Sequence, residues 1–361
     1  MRLQDKSTNF EALNDRTFDF AKLICAYLIV AIHCPPFLGV SSTINFYVTH
    51  VIARIAVPFF FATTAFFLFR KMKFIDGKIA NNISNIRCFW RYIKRNVLLY
   101  AIWSVIYLIW QIPNWYATGW WGIHVVKDYL ISFVLSSSFY HLWYMVSLFY
   151  GIVFLYVMLR FIGIKGTAII SCALYLVKAL SYGYTWLNLP GLTTVTSLFD
   201  RFGGVFGGLC LAVPMMMVGV VCGQCLDWTK KLDRFRLLGL IASSILLSVE
   251  ASLLQYLGLS KDKVSFIVMT LPVCFFIFIN VRKISFKNER LGKCCKMIRS
   301  ASTLIYCVHP LLLCLWSLLN TWSDLSSISR YIILCVSSTV FAAIVLLIEK
   351  STRMKILKYL H

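Results

Sequence analysis

The chain is a succession of apolar stretches, most of them about as long as a membrane is thick. A hydrocarbon core of about 30 Å takes roughly 20 residues of α-helix. Ten stretches are candidates: 18–37, 44–69, 97–112, 141–159, 166–182, 205–223, 237–257, 264–280, 301–319 and 330–348. Lipid offers no hydrogen bonds to the backbone, so each stretch is expected to be helical. The pattern predicts an all-α, polytopic membrane protein of about ten transmembrane helices. The third stretch is short and the second long; the fifth carries Lys178 near its end and is the weakest. Composition agrees: of 361 residues 60% are apolar and 14% charged, against about 25% charged in soluble domains. A disordered chain is excluded, and the balance argues against an ordinary soluble enzyme.

Charge then orients the helices. There are 36 Lys and Arg against 14 Asp and Glu, a formal +22. On a soluble protein that balance suggests nucleic acid; on a membrane protein its placement decides. With the N-terminus inside, segments 1–17, 70–96, 160–165, 224–236, 281–300 and 349–361 hold 28 of the 36. The other side holds six: Lys127, Lys178, Arg201, Lys261, Lys263 and Arg330. Lys22 and Arg54 lie within spans. Basic loops gathered on one side are the signature of cytoplasmic loops. The expectation is therefore a cytoplasmic tail over 1–17, a membrane domain over 18–349 and a cytoplasmic tail over 350–361. The bilayer is the expected partner, and no nucleic acid is. The first apolar run is too long for a cleavable signal peptide and ends in His33-Cys34-Pro35-Pro36 rather than in small residues.

Thirteen cysteines are scattered, mostly within apolar runs. Cys222 and Cys225 form a single C-x-x-C with no second pair or His partner, so buried thiols are expected and no metal site is predicted. The outer loop 113–140 carries Trp115, Tyr116, Trp120 and Trp121, residue types that favour the headgroup level.

Ionisable residues inside spans are costly and mark functional candidates. Lys22 and His33 are eleven residues apart, which returns to nearly the same helix face with a rise of about 16 Å. Arg54 lies near the midplane of the second span, and Glu250 on the seventh is a candidate partner. His309 precedes Pro310, whose ring frees the carbonyl of Tyr306 from the helix ladder. His141 opens the fourth span. Ordered by depth from the cytoplasm, the series is Lys22, then His309 and Arg54, then His33, then His141. Such a polar line suits transport and chemistry across the membrane equally well.

Five segments carry a resemblance. FDFAKLICAYLIVAIHC, with Lys22 and His33, resembles the first helix of the acyltransferase 3 family of bacterial integral membrane acyltransferases. RIAVPFFFATTAFFLFRK resembles its second helix, with Arg54 as the basic residue. FWRYIKRNVLLY resembles the basic entry to the third, with Arg91, Lys94 and Arg95. YHLWYMVSLFYGIVFLY resembles its His-Leu-Trp-Tyr segment, and STLIYCVHPLLL its late Ile-Tyr-x-x-His-Pro segment. The matches fall in family order over 18–320. AIHCPPF, RIAVPFFF and FYHLWY also resemble the membrane half of the family's serine racemases, which is described as a transporter. Two departures stand out. Lys22 replaces the usual Arg, keeping charge but losing bidentate phosphate recognition. Thr64-Ala65 stands where the family has a small residue and Gly.

The resemblance implies O-acyl transfer, most simply acetyl transfer, in the bacterial cytoplasmic membrane. Acyl-CoA would be a co-substrate rather than a bound cofactor, and a hydroxyl of an extracytoplasmic glycan or envelope molecule the acceptor. It implies His33 as general base, since an imidazole titrates near neutrality. Arg54 would stabilise the oxyanion, and His309 would orient substrate or relay a proton. Lys22, Arg91, Lys94 and Arg95 would bind the donor's phosphates. His141, Trp143 and Tyr144 would serve the acceptor side. The alternative is a small-solute, serine-like transporter or flippase of the same fold.

Overall fold

A computed structural model describes residues 2–120, 122–187, 189–191, 194, 195, 197, 203–258, 266–284, 289–352 and 355–361. Trp121, Arg201, Lys261 and Lys263, singled out above, lie outside the described residues. Among the described residues the regular structure is helical apart from one hairpin of two-residue strands. Helix α1 spans Arg2–His33, α2 Ser42–Phe46 and α3 Ala56–Phe69. Hairpin strands β1 (Phe74–Ile75) and β2 (Lys78–Ile79) follow, then α4 (Ile83–Ala117), α5 (Ile123–Leu135), α6 (Trp143–Phe161) and α7 (Gly163–Tyr182). The remainder is α8 (Gly203–Gln224), α9 (Leu226–Lys231), α10 (Arg236–Tyr256), α11 (Thr270–Lys283), α12 (Glu289–Ser317) and α13 (Ser327–Thr352).

Eight stretches among the described residues are long and apolar enough to cross a membrane: Ser42–Phe69, Ile83–Ala117, Ile123–Phe161, Gly163–Tyr182, Gly207–Gln224, Leu226–Tyr256, Cys294–Ser317 and Ser327–Ser351. The chain is thus a multi-pass membrane protein. Two boundaries differ from the hydropathy reading, and one cation is placed differently. The third span is not short: α4 is 35 residues long and contains Arg91, Lys94 and Arg95, all expected in a loop. Charge lowers hydropathy without breaking a helix, and Asn82 caps the start by accepting from the Asn85 N–H. Loop 113–140 holds α5 rather than being irregular throughout. Lys178, counted with the outer cations, sits within α7 and is only 2% exposed.

The chain divides into two compact units, Met1–Thr63 with Cys225–Tyr359 and His361, and Thr64–Gln224 with Leu360. In the first, α1 packs on α12, and α12 on α13. The Asp19 carboxylate, buried between α1 and α12, accepts two hydrogen bonds of 2.8 Å from the Arg299 guanidinium. Farther along the same two helices the rings of His33 and His309 meet. Both helices advance from the first contact to the second, so they run in the same direction. Phe18 packs on Phe59 and Phe278 beside this seam.

In the second unit α8 lies against α6 and α7. Gly207 faces the Lys178 ammonium, and Gly208 faces Ser147 so closely that no side chain fits between them. Small residues that let helix backbones approach are a main source of packing in lipid, where burial itself drives little association. The β1–β2 hairpin turns at Asp76-Gly77, both with positive φ, as a two-residue hairpin turn requires.

Candidate functional site

His33 is the last residue of α1. The helix stops because Pro35 disfavours helical geometry at the residue before it; Cys34 N–H closes the final turn on Val30 O at 2.8 Å. The exit loop is pinned: Ser327 Oγ donates to Pro36 O at 2.8 Å. Because α1 is unbroken from Arg2 to His33, Lys22 and His33 keep the shared face that their spacing predicts.

Arg54 sits at an irregularity. Between α2 and α3 the helix passes through a π turn, Tyr47–Ile52, and then a 3-10 turn, Ala53–Ile55. Pro58 supplies a cause: it has no N–H to donate to the carbonyl four residues back, which is that of Arg54. Widened and tightened turns in succession re-aim side chains, and π turns recur at functional sites. Here they bring Arg54 against α1 and within Coulombic reach of the His33 imidazole.

His309 lies inside α12, fully buried. The freed carbonyl expected at Tyr306 finds a donor in the same turn. His309 Nδ1 is 2.9 Å from Tyr306 O and 3.1 Å from Ile305 O. Carbonyls only accept, so Nδ1 carries the proton and Nε2 carries the lone pair. The His309 ring lies 5.3 Å from that of His33, centroid to centroid, tilted by 35°. Tyr306 continues the stack at 6.3 Å from His309, and Phe60 follows at 6.5 Å from Tyr306. The three expected catalytic residues thus converge within one unit. Tyr306 and Phe60 were not anticipated, although Tyr306 shares the His309 face by its i, i+3 spacing.

Glu250 has a visible structural task. Its two carboxylate oxygens accept from the backbone N–H groups of Val268 and Met269 at 2.7 and 2.9 Å. Met269 is the N-cap residue of the short helix α11 and Val268 precedes it, so Glu250 closes the entry to that helix.

The other candidates lie in the second unit. Arg91, Lys94 and Arg95 share one face of α4 and are exposed. Trp143 and Tyr144, half-buried, are the first residues of α6. His141 is buried among aromatic rings, with Tyr107 at 4.9 Å, Tyr140 at 5.6 Å and Phe139 at 5.8 Å. A polar ladder on α4 holds the turn before it. Ser104 and Ser138 share a hydrogen bond of 2.6 Å, Ser138 N–H donates to Tyr100 Oη at 3.0 Å, and Gln111 Nε2 donates to Ser138 O at 3.2 Å. Lys178, which sequence reasoning left aside, places its ammonium 3.1 Å from the centre of the Tyr182 ring, a cation–π contact.

Comparison with known proteins adds a family. A family model described as an acyltransferase domain matches residues 15–347. Two amino-acid racemases of Enterococcus faecalis are similar. One is 28% identical over 55% of this chain and 23% of its own length; the other is 22% identical over 93% and 46%. A serine/alanine racemase of Enterococcus gallinarum is 26% identical over 74% of this chain and 37% of its own. The chain therefore spans less than half the length of these relatives. No solved structure matches it.

Proposed function

Because this chain belongs to the acyltransferase 3 family, we propose that it moves an acyl group, most simply acetyl, from cytoplasmic acyl-CoA to a hydroxyl of an extracytoplasmic glycan or other envelope molecule. It is a transferase acting on acyl groups; donor and acceptor are our reading, as are its place in a bacterial cytoplasmic membrane and the cytoplasmic position of both termini. The observation that carries the reading is the meeting of His33, His309 and Arg54.

His33 takes the proton from the acceptor hydroxyl as its oxygen attacks the thioester carbonyl. The carbonyl oxygen gains negative charge, which Arg54 offsets in a setting poor in water. Collapse of the tetrahedral species breaks the carbon–sulfur bond, and the departing thiolate receives the proton from His33. His309, fixed by its Nδ1 hydrogen bonds, holds the His33 ring in place. The basic face of Arg91, Lys94 and Arg95 is assigned to the donor's phosphates in its unit; Lys22, in the other unit, carries the same assignment by the family resemblance alone. His141, Trp143 and Tyr144 are assigned to the acceptor.

The test is purified protein in detergent with acetyl-CoA, followed by thiol release, and mass spectrometry of envelope glycans and lipids from cells with and without the protein. His33→Ala is expected to lower transfer by about 100-fold or more with an unchanged melting temperature. Unchanged acylation in that variant would overturn the reading. A second reading, transport of a serine-like solute, comes from the resemblance of AIHCPPF, RIAVPFFF and FYHLWY to the membrane half of serine racemases. Uptake of labelled serine into proteoliposomes without release of CoA thiol would select it.

A further inference from the structure

The β1–β2 hairpin is held more firmly than a two-residue pairing requires. At its base Asn85, buried, accepts from Lys73 N–H at 3.0 Å and donates to Lys73 O and Ala80 O at 3.0 and 2.9 Å. At its tip Ile164 N–H donates to Gly77 O at 2.8 Å. Gly163 has a left-handed φ of +72°, and a Cβ there would come within 3.0 Å of Gly77 O. The hairpin is thus clamped to the start of α7, which directly follows α6.

Clamping creates a groove of about 290 Å³ between the hairpin and the end of α6. Ile79 is buried, and Lys78, Asn81 and Arg160 give the groove its polar lining. Ile75 and Phe161, 54% and 67% exposed, give it an apolar side. Neither Lys78 nor Arg160 forms a salt bridge among the described residues. Two cations and an amide donor beside one small groove suit a phosphate. The apolar side favours a phosphate that carries acyl chains. Phe161 ends a span-length stretch, Ile123–Phe161, so the groove sits where headgroups begin.

We propose that this groove binds the headgroup phosphate of an anionic phospholipid, on the side that the basic loops assign to the cytoplasm. Lys78 and Arg160 hold the phosphate, Asn81 donates to it, and Ile75 and Phe161 lie along the upper acyl chains. The inference does not depend on the acyl-transfer reading.

The test uses the full chain in uncharged detergent, titrated with phosphatidylglycerol or phosphatidylcholine and read by native mass spectrometry and melting temperature. The intact protein is expected to retain phosphatidylglycerol in preference. Lys78→Ala with Arg160→Ala is expected to weaken that retention roughly ten- to thirty-fold, given the usual worth of a cation at a lipid surface. Lys78→Gln with Arg160→Gln, a milder pair, is expected to do the same with an unchanged melting temperature without lipid. A charge-matched control, Lys230→Ala with Lys231→Ala, is expected to bind like the intact protein. Equal loss in the control would overturn the proposal, as would no preference for the anionic lipid. So would stabilisation by inorganic phosphate or CoA alone equal to that by lipid, since the groove would then take a soluble phosphate.

Discussion

A buried carboxylate and a guanidinium with half its surface open do not lose the same thing when they are parted. Asp19 is 1% exposed at its side chain and Arg299 52%. Asp19→Asn leaves a cation that solvent or headgroups can reach, and is expected to cost about 1–2 kcal/mol. Arg299→Ala leaves a charge buried without its fork of donors, and is expected to cost roughly twice as much. Thermal unfolding in detergent checks the order; the reverse order would show that Asp19 is not the dependent partner. At this scale the sequence was informative where chemistry is local. Pro310 announced a free carbonyl at Tyr306, and the eleven-residue spacing placed Lys22 and His33 on one face. It was silent on the donor that fills that carbonyl, because ring rotation depends on what packs beside it. Arg54 read as a midplane cation with Glu250 as a candidate partner, and only the turns around it show why it lies against α1.

At the scale of elements, apolar runs located most helices and misplaced their ends. Hydropathy follows lipid contact, whereas a helix continues until capping or proline stops it. So α4 extends through its basic residues back to Asn82, and α5 arises in what read as loop. The π and 3-10 turns before α3 have no hydropathy signature, although Pro58 marked their place. Close helix approach was equally hidden, since glycines in an apolar run look like any small residue. Gly208 is the sharpest case. Gly208→Ala would drive a methyl into Ser147 and is expected to destabilise by about 1–3 kcal/mol. Ser147→Gly in the same chain is expected to recover most of that loss. A double-mutant cycle by thermal unfolding measures the coupling, and simple additivity would mean that α6 and α8 do not meet there.

For the whole molecule, the basic loops predict sidedness. Asp76→Cys, at the hairpin tip, is expected to react with a membrane-impermeant maleimide only after cells are opened, and Thr118→Cys, at the end of α4, in intact cells. Labelling with the opposite pattern would invert the orientation. Convergence of the site was expected only through the family resemblance, because His33 and His309 stand far apart in the chain and nothing local specifies their contact. That contact and the Asp19–Arg299 bridge carry one more consequence, a matter of parity. Two helices that cross a bilayer in the same direction are separated by an odd number of crossings. Between α1 and α12 the described residues supply six stretches of span length: Ser42–Phe69, Ile83–Ala117, Ile123–Phe161, Gly163–Tyr182, Gly207–Gln224 and Leu226–Tyr256. Six is even; with α1 and α12 both crossing and Ile123–Phe161 counted once, an odd total takes one more passage, and α11, 14 residues and about 21 Å long, is the described helix left to supply it.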